Sequence, residues 1–130
     1  PMCGRFNVIA TPGLQALLDS LGQWLHFDGA RYNIAPTQDI AAIREYADGE
    51  RELVMLRWGL VPSWTKDVKM GARMINARGE TMAEKPSFRS AVKTRRCLVP
   101  ASGFYEWVKT TEGKQPHFIH FFLDEIFNGF

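Results

Sequence analysis

The opening run PMCGRF places a cysteine where its chemistry depends on what stands before it. An internal cysteine near a terminus behaves as a small hydrophobe and is inert packing. A first-position cysteine also carries an α-amine, whose ordinary pKa of about 7.7–8.0 leaves an appreciable neutral fraction to attack a carbonyl. The thiol lies two bonds away and can close on the resulting imine, so the pair traps an aldehyde as a five-membered thiazolidine. A natural reading frame starts at Met, so Pro1 ahead of Met2 is expected to be an addition. Removal of both residues would make Cys3 the first.

Other residues carry chemistry in combination. Asn76 stands in INAR beside Arg78. An amide there can orient a reacting group while a planar guanidinium holds a phosphate; the plain alternative is a turn asparagine and a surface arginine. Glu106 sits between Tyr105 and Trp107. Strand alternation puts the two aromatics on one face and the carboxylate on the other. Half desolvated, such a glutamate is raised toward general acid–base use; otherwise it is an exposed strand carboxylate. Trp58, Trp64, Trp107 and Phe104 are either core or platforms for bases, with one or two expected to be exposed. Stacking contributes on the order of 1–3 kcal/mol per base whatever the sequence. His26, His117 and His120 show no ligand spacing. No metal site, phosphate-binding glycine loop or Ser-His-Asp order is visible, and no cofactor is expected.

The elements that must position these groups are short. TPGLQALLDSLG predicts a helix capped by Thr11, with Pro12 at its first position and Gly22 at its end. Leu14, Leu17, Leu18 and Leu21 form its apolar face, a core stripe. DIAAIREY and RELVMLRW predict a hairpin around the Asp48-Gly49 turn signal. Residues 85–94 predict a second helix, with Pro86 near its start and Phe88, Ala91 and Val92 facing inward. CLVPASGFYEWV predicts strand, kink and strand, TTEGK a turn and QPHFIHFF a last strand. Two helices among about five strands give α+β. Phe118, Phe121, Phe122, Phe127 and Phe130 crowd the end with no following partner, so the chain is expected to be shorter than its fold. A second copy covering the last strand is one way to complete it.

Length and charge set bounds. One domain over residues 1–130 is expected, and 45% apolar with 23% charged residues suits a soluble globular chain. No apolar run approaches the roughly 20 residues of a membrane helix. Two cysteines are too few for a disulfide framework and point to a reducing cytosol. A net charge of +2 says little alone, although Lys93, Arg95 and Arg96 cluster.

Together the segments MCGRF (2–6), RYNIAPTQ (31–38), RWGLVPSW (57–64), NARGET (76–81) and RRCLVPASGFYEW (95–107) resemble the SOS response-associated peptidase (SRAP) family. Its bacterial and animal members shield abasic sites in single-stranded DNA. The resemblance implies a compact, β-rich, mixed-sheet, barrel-like α+β fold with a few short helices and a basic cleft. It makes Cys3 the catalytic residue that forms a thiazolidine with the ring-opened abasic sugar. Asn76 positions the sugar and Glu106 manages protons during imine formation. Arg5 and Arg78 hold the DNA backbone, Trp107 packs against the strand, and Trp64 is a weaker match. It implies no metal and no cofactor, and a cytoplasmic, DNA-associated setting. The alternatives are a cysteine peptidase that removes its own Met, or a non-covalent single-strand binding module. Two departures stand out. The family's later His-Arg-Met-Pro-like segment, with a catalytic histidine, is absent, and neither His117 nor His120 replaces it. Pro1 and Met2 also block the Cys3 amine, so the chain is expected to bind DNA as written and to react only without them.

Overall fold

The computed structural model describes residues 3–25 and 29–120. Its elements are β1 (Arg5–Val8), α1 (Pro12–Ser20), β2 (Arg31–Ile34), β3 (Asp39–Glu45), β4 (Arg51–Arg57), a 3-10 helix (Val68–Arg73), α2 (Arg89–Thr94), β5 (Gly103–Thr110) and β6 (Gly113–His120). They fall into two compact units, one of residues 1–35 with 100–130 and the other Pro36–Val99. Both junctions lie at an X–Pro bond, before Pro36 and before Pro100, where the preceding residue is driven extended.

In the first unit the strands run in the order β2-β1-β5-β6, every neighbour antiparallel. The short β1 is central because alternate apolar residues meet a core: Phe6 and Val8 are buried with Ile34 of β2 and Leu14 and Leu18 of α1. Burying each such side chain contributes about 1.5–3 kcal/mol. Helix α1 begins and ends as expected. The Thr11 hydroxyl accepts from the Leu14 N–H at 3.2 Å. Gly22, at φ 67°, turns the chain so that Gln23 N–H reaches the Leu18 carbonyl and Gly22 N–H the Asp19 carbonyl. The four-leucine stripe is narrower than expected: Leu14 and Leu18 are buried, whereas Leu17 at the margin of the face is 45% exposed.

In the second unit β3 and β4 form the expected hairpin, from Asp39 opposite Arg57 to Glu45 opposite Arg51, with Gly49 at φ 85° in the turn. Arg44 with Glu52 and Arg51 with Glu45 hold its register on the exposed side, and the Tyr46 hydroxyl also donates to Glu52. Residues 40–43 are all buried, so both faces of β3 are covered. Leu98 bridges to Ile43. The second helix is shorter than expected. Pro86 supplies no N–H, residues 85–88 form a turn on the Lys85 carbonyl, and α2 starts at Arg89.

The α+β class stands, but among the described residues the strands make two open antiparallel sheets rather than a barrel. β2 and β6 are the outer strands of the larger sheet and do not pair with each other. All eight residues of β6 are exposed, and Pro116 within it lacks an N–H, a feature that blunts an edge. Pro1, Met2, His26 and Phe121, Phe122, Phe127 and Phe130 lie outside the described residues.

One close approach organises the second unit. Gly59, at φ 131°, lies against Gly71 so tightly that a Cβ on Gly59 would stand 2.3 Å from the Gly71 carbonyl oxygen. Gly113, at φ 129°, has open space around the same position. Gly113→Ala therefore costs backbone strain alone, about 1–2 kcal/mol, whereas Gly59→Ala adds a backbone clash and costs roughly 3 kcal/mol or more. Denaturant unfolding of the two variants checks this order; equal losses would show that the Gly59 contact does not constrain the fold.

Candidate active site

The central strand of the first unit carries the residues of greatest chemical interest. Arg5 pairs with Tyr105, Phe6 with Phe104 and Asn7 with Gly103. Continued outward, this register carries Glu106 and Trp107 of β5 alongside Gly4 and Cys3. Strand β2 backs the arrangement. Arg5 donates to the Asn33 side-chain oxygen at 2.9 Å, and the Tyr105 hydroxyl donates to the Tyr32 carbonyl at 3.1 Å. The far end of β1 is closed by Ser102, whose hydroxyl accepts from the Ile9 N–H at 3.0 Å and donates to the Ile9 carbonyl at 2.9 Å.

Cys3 is half-buried, and its thiol donates to the Arg5 carbonyl at 3.4 Å. Burial pushes the thiol above its ordinary pKa; the backbone at Arg5 offsets part of this by a hydrogen bond to the ionised sulfur, and the Glu106 charge adds to the rise. Cys3 is therefore a protonated thiol at neutral pH, with a carboxylate near enough to bear on it. Both Cys3 and Cys97 are free. Trp107 is 41% exposed and shares a face with Tyr105, as alternation requires. The aromatic row continues across β6: Tyr105 and Phe118 lie 5.2 Å apart, and Phe118 stacks on His120 at 5.1 Å. His117 stands opposite Glu106 in the register.

Asn76, Arg78 and Trp64 belong to the second unit. Asn76 is half-buried in a segment without helix or strand, Arg78 is exposed, and Trp64 is 62% exposed. Trp58 is half-buried and donates its indole N–H to the Ile75 carbonyl at 3.0 Å. Of the four aromatics read as core or platform, Trp64 and Trp107 are the exposed pair. Residues 66–96 hold nine Lys and Arg against three Asp and Glu. Among the described residues, no group of three His, Cys, Asp or Glu is arranged to hold a metal, and no helix is long and apolar enough to cross a membrane.

Sequence reasoning missed Asn33, Tyr105 and Trp58 as supports. Asn33 and Trp58 stand inside RYNIAPTQ and RWGLVPSW, and their polar groups among turn formers and aromatics were the available signal. What each polar group binds follows only from the register.

A family model described as SOS response associated peptidase (SRAP) matches residues 2–128. The chain is 54% identical over 114 residues to the abasic site processing protein YobE of Bacillus subtilis (strain 168), a match covering 82% of this chain and 49% of that protein. It is 42% identical over 114 residues to the abasic site processing protein YoqW of the same organism, covering 82% and 48%. Its fold is similar to the crystal structure of a phage-related protein of Bordetella bronchiseptica, with a TM-score of 0.70 and 32% identity over 91% of this chain and 55% of that one. The chain thus spans about half the length of these relatives.

The thiol environment sets a pH dependence. The neutral form is favoured in the folded chain, so its contribution to stability is fully present below the unfolded thiol's pKa and is lost as pH rises through the folded value. Alkylation of Cys3 by iodoacetamide, followed by peptide mass spectrometry, should show a midpoint above the ordinary thiol value of about 8.5. Glu106→Gln should move that midpoint down. A midpoint at or below that ordinary thiol value would contradict the assigned environment.

Proposed function

Because this chain belongs to the SOS response associated peptidase family, we propose that it captures abasic sites in single-stranded DNA through a thiazolidine on Cys3. The observation that carries the proposal is the half-buried Cys3 thiol, just before β1, kept protonated chiefly by burial and within reach of the charge of Glu106 on the paired strand β5. The names of the relatives, abasic site processing proteins, support the substrate class.

The chemistry balances without a redox partner, metal or cofactor. With Cys3 first in the chain, its α-amine attacks the aldehyde carbon of the ring-opened abasic sugar. Loss of water leaves an imine. The Cys3 sulfur then adds to the imine carbon, a C–S bond forms, and the thiol proton passes to the ring nitrogen. Glu106 carries protons at both stages: it helps expel water and relays the thiol proton. A thiol held protonated suits this order, since the amine must act first and the sulfur only once the imine exists. Asn76 orients the sugar. Arg5, held by Asn33, and Arg78, in the basic segment 66–96, hold phosphates. Trp107 and Trp64 offer exposed ring faces to bases.

The family description also names a peptidase. A cysteine peptidase works through a thiolate, and burial that keeps Cys3 protonated disfavours one.

A version of the chain beginning at Cys3 should form a denaturation-resistant adduct with single-stranded DNA containing an abasic site. Cys3→Ser, or one added residue before Cys3, should abolish the stable product, and Glu106→Gln should slow it by about 10²–10⁴-fold. Denaturing gel electrophoresis of timed samples reads each outcome. An equally stable Cys3→Ser adduct rules out the thiazolidine, and equal affinity for intact and abasic DNA without an adduct favours a plain binding module.

A further inference from the structure

We infer that Trp58 is a positioning residue for Asn76, acting through the Ile75 carbonyl; this rests on the reading of Asn76 as the amide that orients the sugar. Asn76 stands in a stretch with no helix or strand of its own, so hydrogen bonds from other segments bear on its placement. Two such bonds reach the residues immediately before it. The Trp58 indole N–H donates to the Ile75 carbonyl at 3.0 Å, and the Leu60 N–H donates to the Met74 carbonyl at 3.0 Å. Between them, Gly59 lets the two backbones approach at Gly71. The strip 58–60 therefore clamps 74–75 and sets where the next residue begins.

Trp58 is itself firmly held. Its N–H donates to the Gln38 carbonyl and its carbonyl accepts from the Thr37 N–H, each at 2.9 Å, extending the β3–β4 ladder beyond Asp39 and Arg57. Thr37 makes its bond at φ 72°, a left-handed conformation that a β-branched residue adopts only when its surroundings impose it. A continuous path thus runs from the hairpin through Trp58 and Ile75 to Asn76. The PTQ and RWG motifs, which the capture chemistry does not use directly, become the mount for its orienting amide.

Trp58→Phe keeps an aromatic ring and removes the N–H. Replacement of Trp58 by benzothienylalanine removes the N–H while keeping the bicyclic shape, and serves if the phenylalanine variant folds poorly. In the version beginning at Cys3, either change should slow adduct formation about tenfold at saturating abasic DNA, with affinity for that DNA unchanged, because a small misplacement of a positioning group acts on rate. In an Asn76→Ala background the same change should slow nothing further. Equal slowing in both backgrounds, or no slowing in either, overturns the inference. The Asn76 side-chain amide signals in nitrogen-15 NMR of the 130-residue chain give an independent readout, and they should shift and exchange faster with water when the indole N–H is removed. Unchanged signals overturn the inference. Full-rate adduct formation by Asn76→Ala alone would instead refute the sugar-orienting role, leaving the NMR result to decide the contact.

Discussion

Antiparallel pairing of β1 with β5 is the constraint on which the site in the first unit depends. Chain ends fray unless something ties them down, so the segment that carries Cys3 must be fixed by the strand that follows it. Four residues of β1 achieve this because both edges are used, by β2 and by β5. Phe6 and Val8 anchor the strand in the core. Ser102 closes its far end with two hydrogen bonds to Ile9. Without the Arg5–Tyr105 rung, Cys3 and Glu106 would share no fixed geometry.

The electrostatics of that geometry follow from the fold rather than from a catalytic base. Burial first, and the charge of Glu106 after it, make the Cys3 sulfur resist ionisation, the reverse of what an activated thiolate needs. Among the described residues Arg5, two positions along, pairs with no carboxylate; its guanidinium donates to the Asn33 amide oxygen.

Much of this is legible in the residues alone. Thr11, Pro12 and Gly22 bracket α1 because capping is local chemistry, and the Asp48-Gly49 turn sets the hairpin for the same reason. Alternation correctly put Tyr105 and Trp107 together and Glu106 opposite. Patterns that depend on distant partners were less legible. Leu17 fits the helical period yet lies at the edge of the buried face, and α2 begins at Arg89 after a turn on the Lys85 carbonyl that periodicity does not register. Residues 40–43 are buried on both faces, which alternation cannot foresee. In the candidate site, Cys3, Asn76 and Glu106 stand out by residue type and by the motifs around them. Asn33 as the holder of Arg5, and the Ile75 carbonyl as the acceptor of the Trp58 indole, could not be read that way, because each bond spans strands or loops far apart in the chain.

The Arg5–Tyr105 rung joins residues one hundred positions apart, so the site is built from contacts of very high sequence separation. Such contacts form slowly, since a long loop must close before they return any stabilisation. During synthesis at about 5–20 residues per second, Cys3 is made roughly 5–20 seconds before its partner strand exists. Through that interval Cys3 lacks both the strand that pairs beside it and the carboxylate whose charge bears on its thiol. The pairing of β1 with β5 therefore exists only once the chain has been made through β5 and has folded, and a shorter nascent fragment carries Cys3 without the strand that pairs beside it.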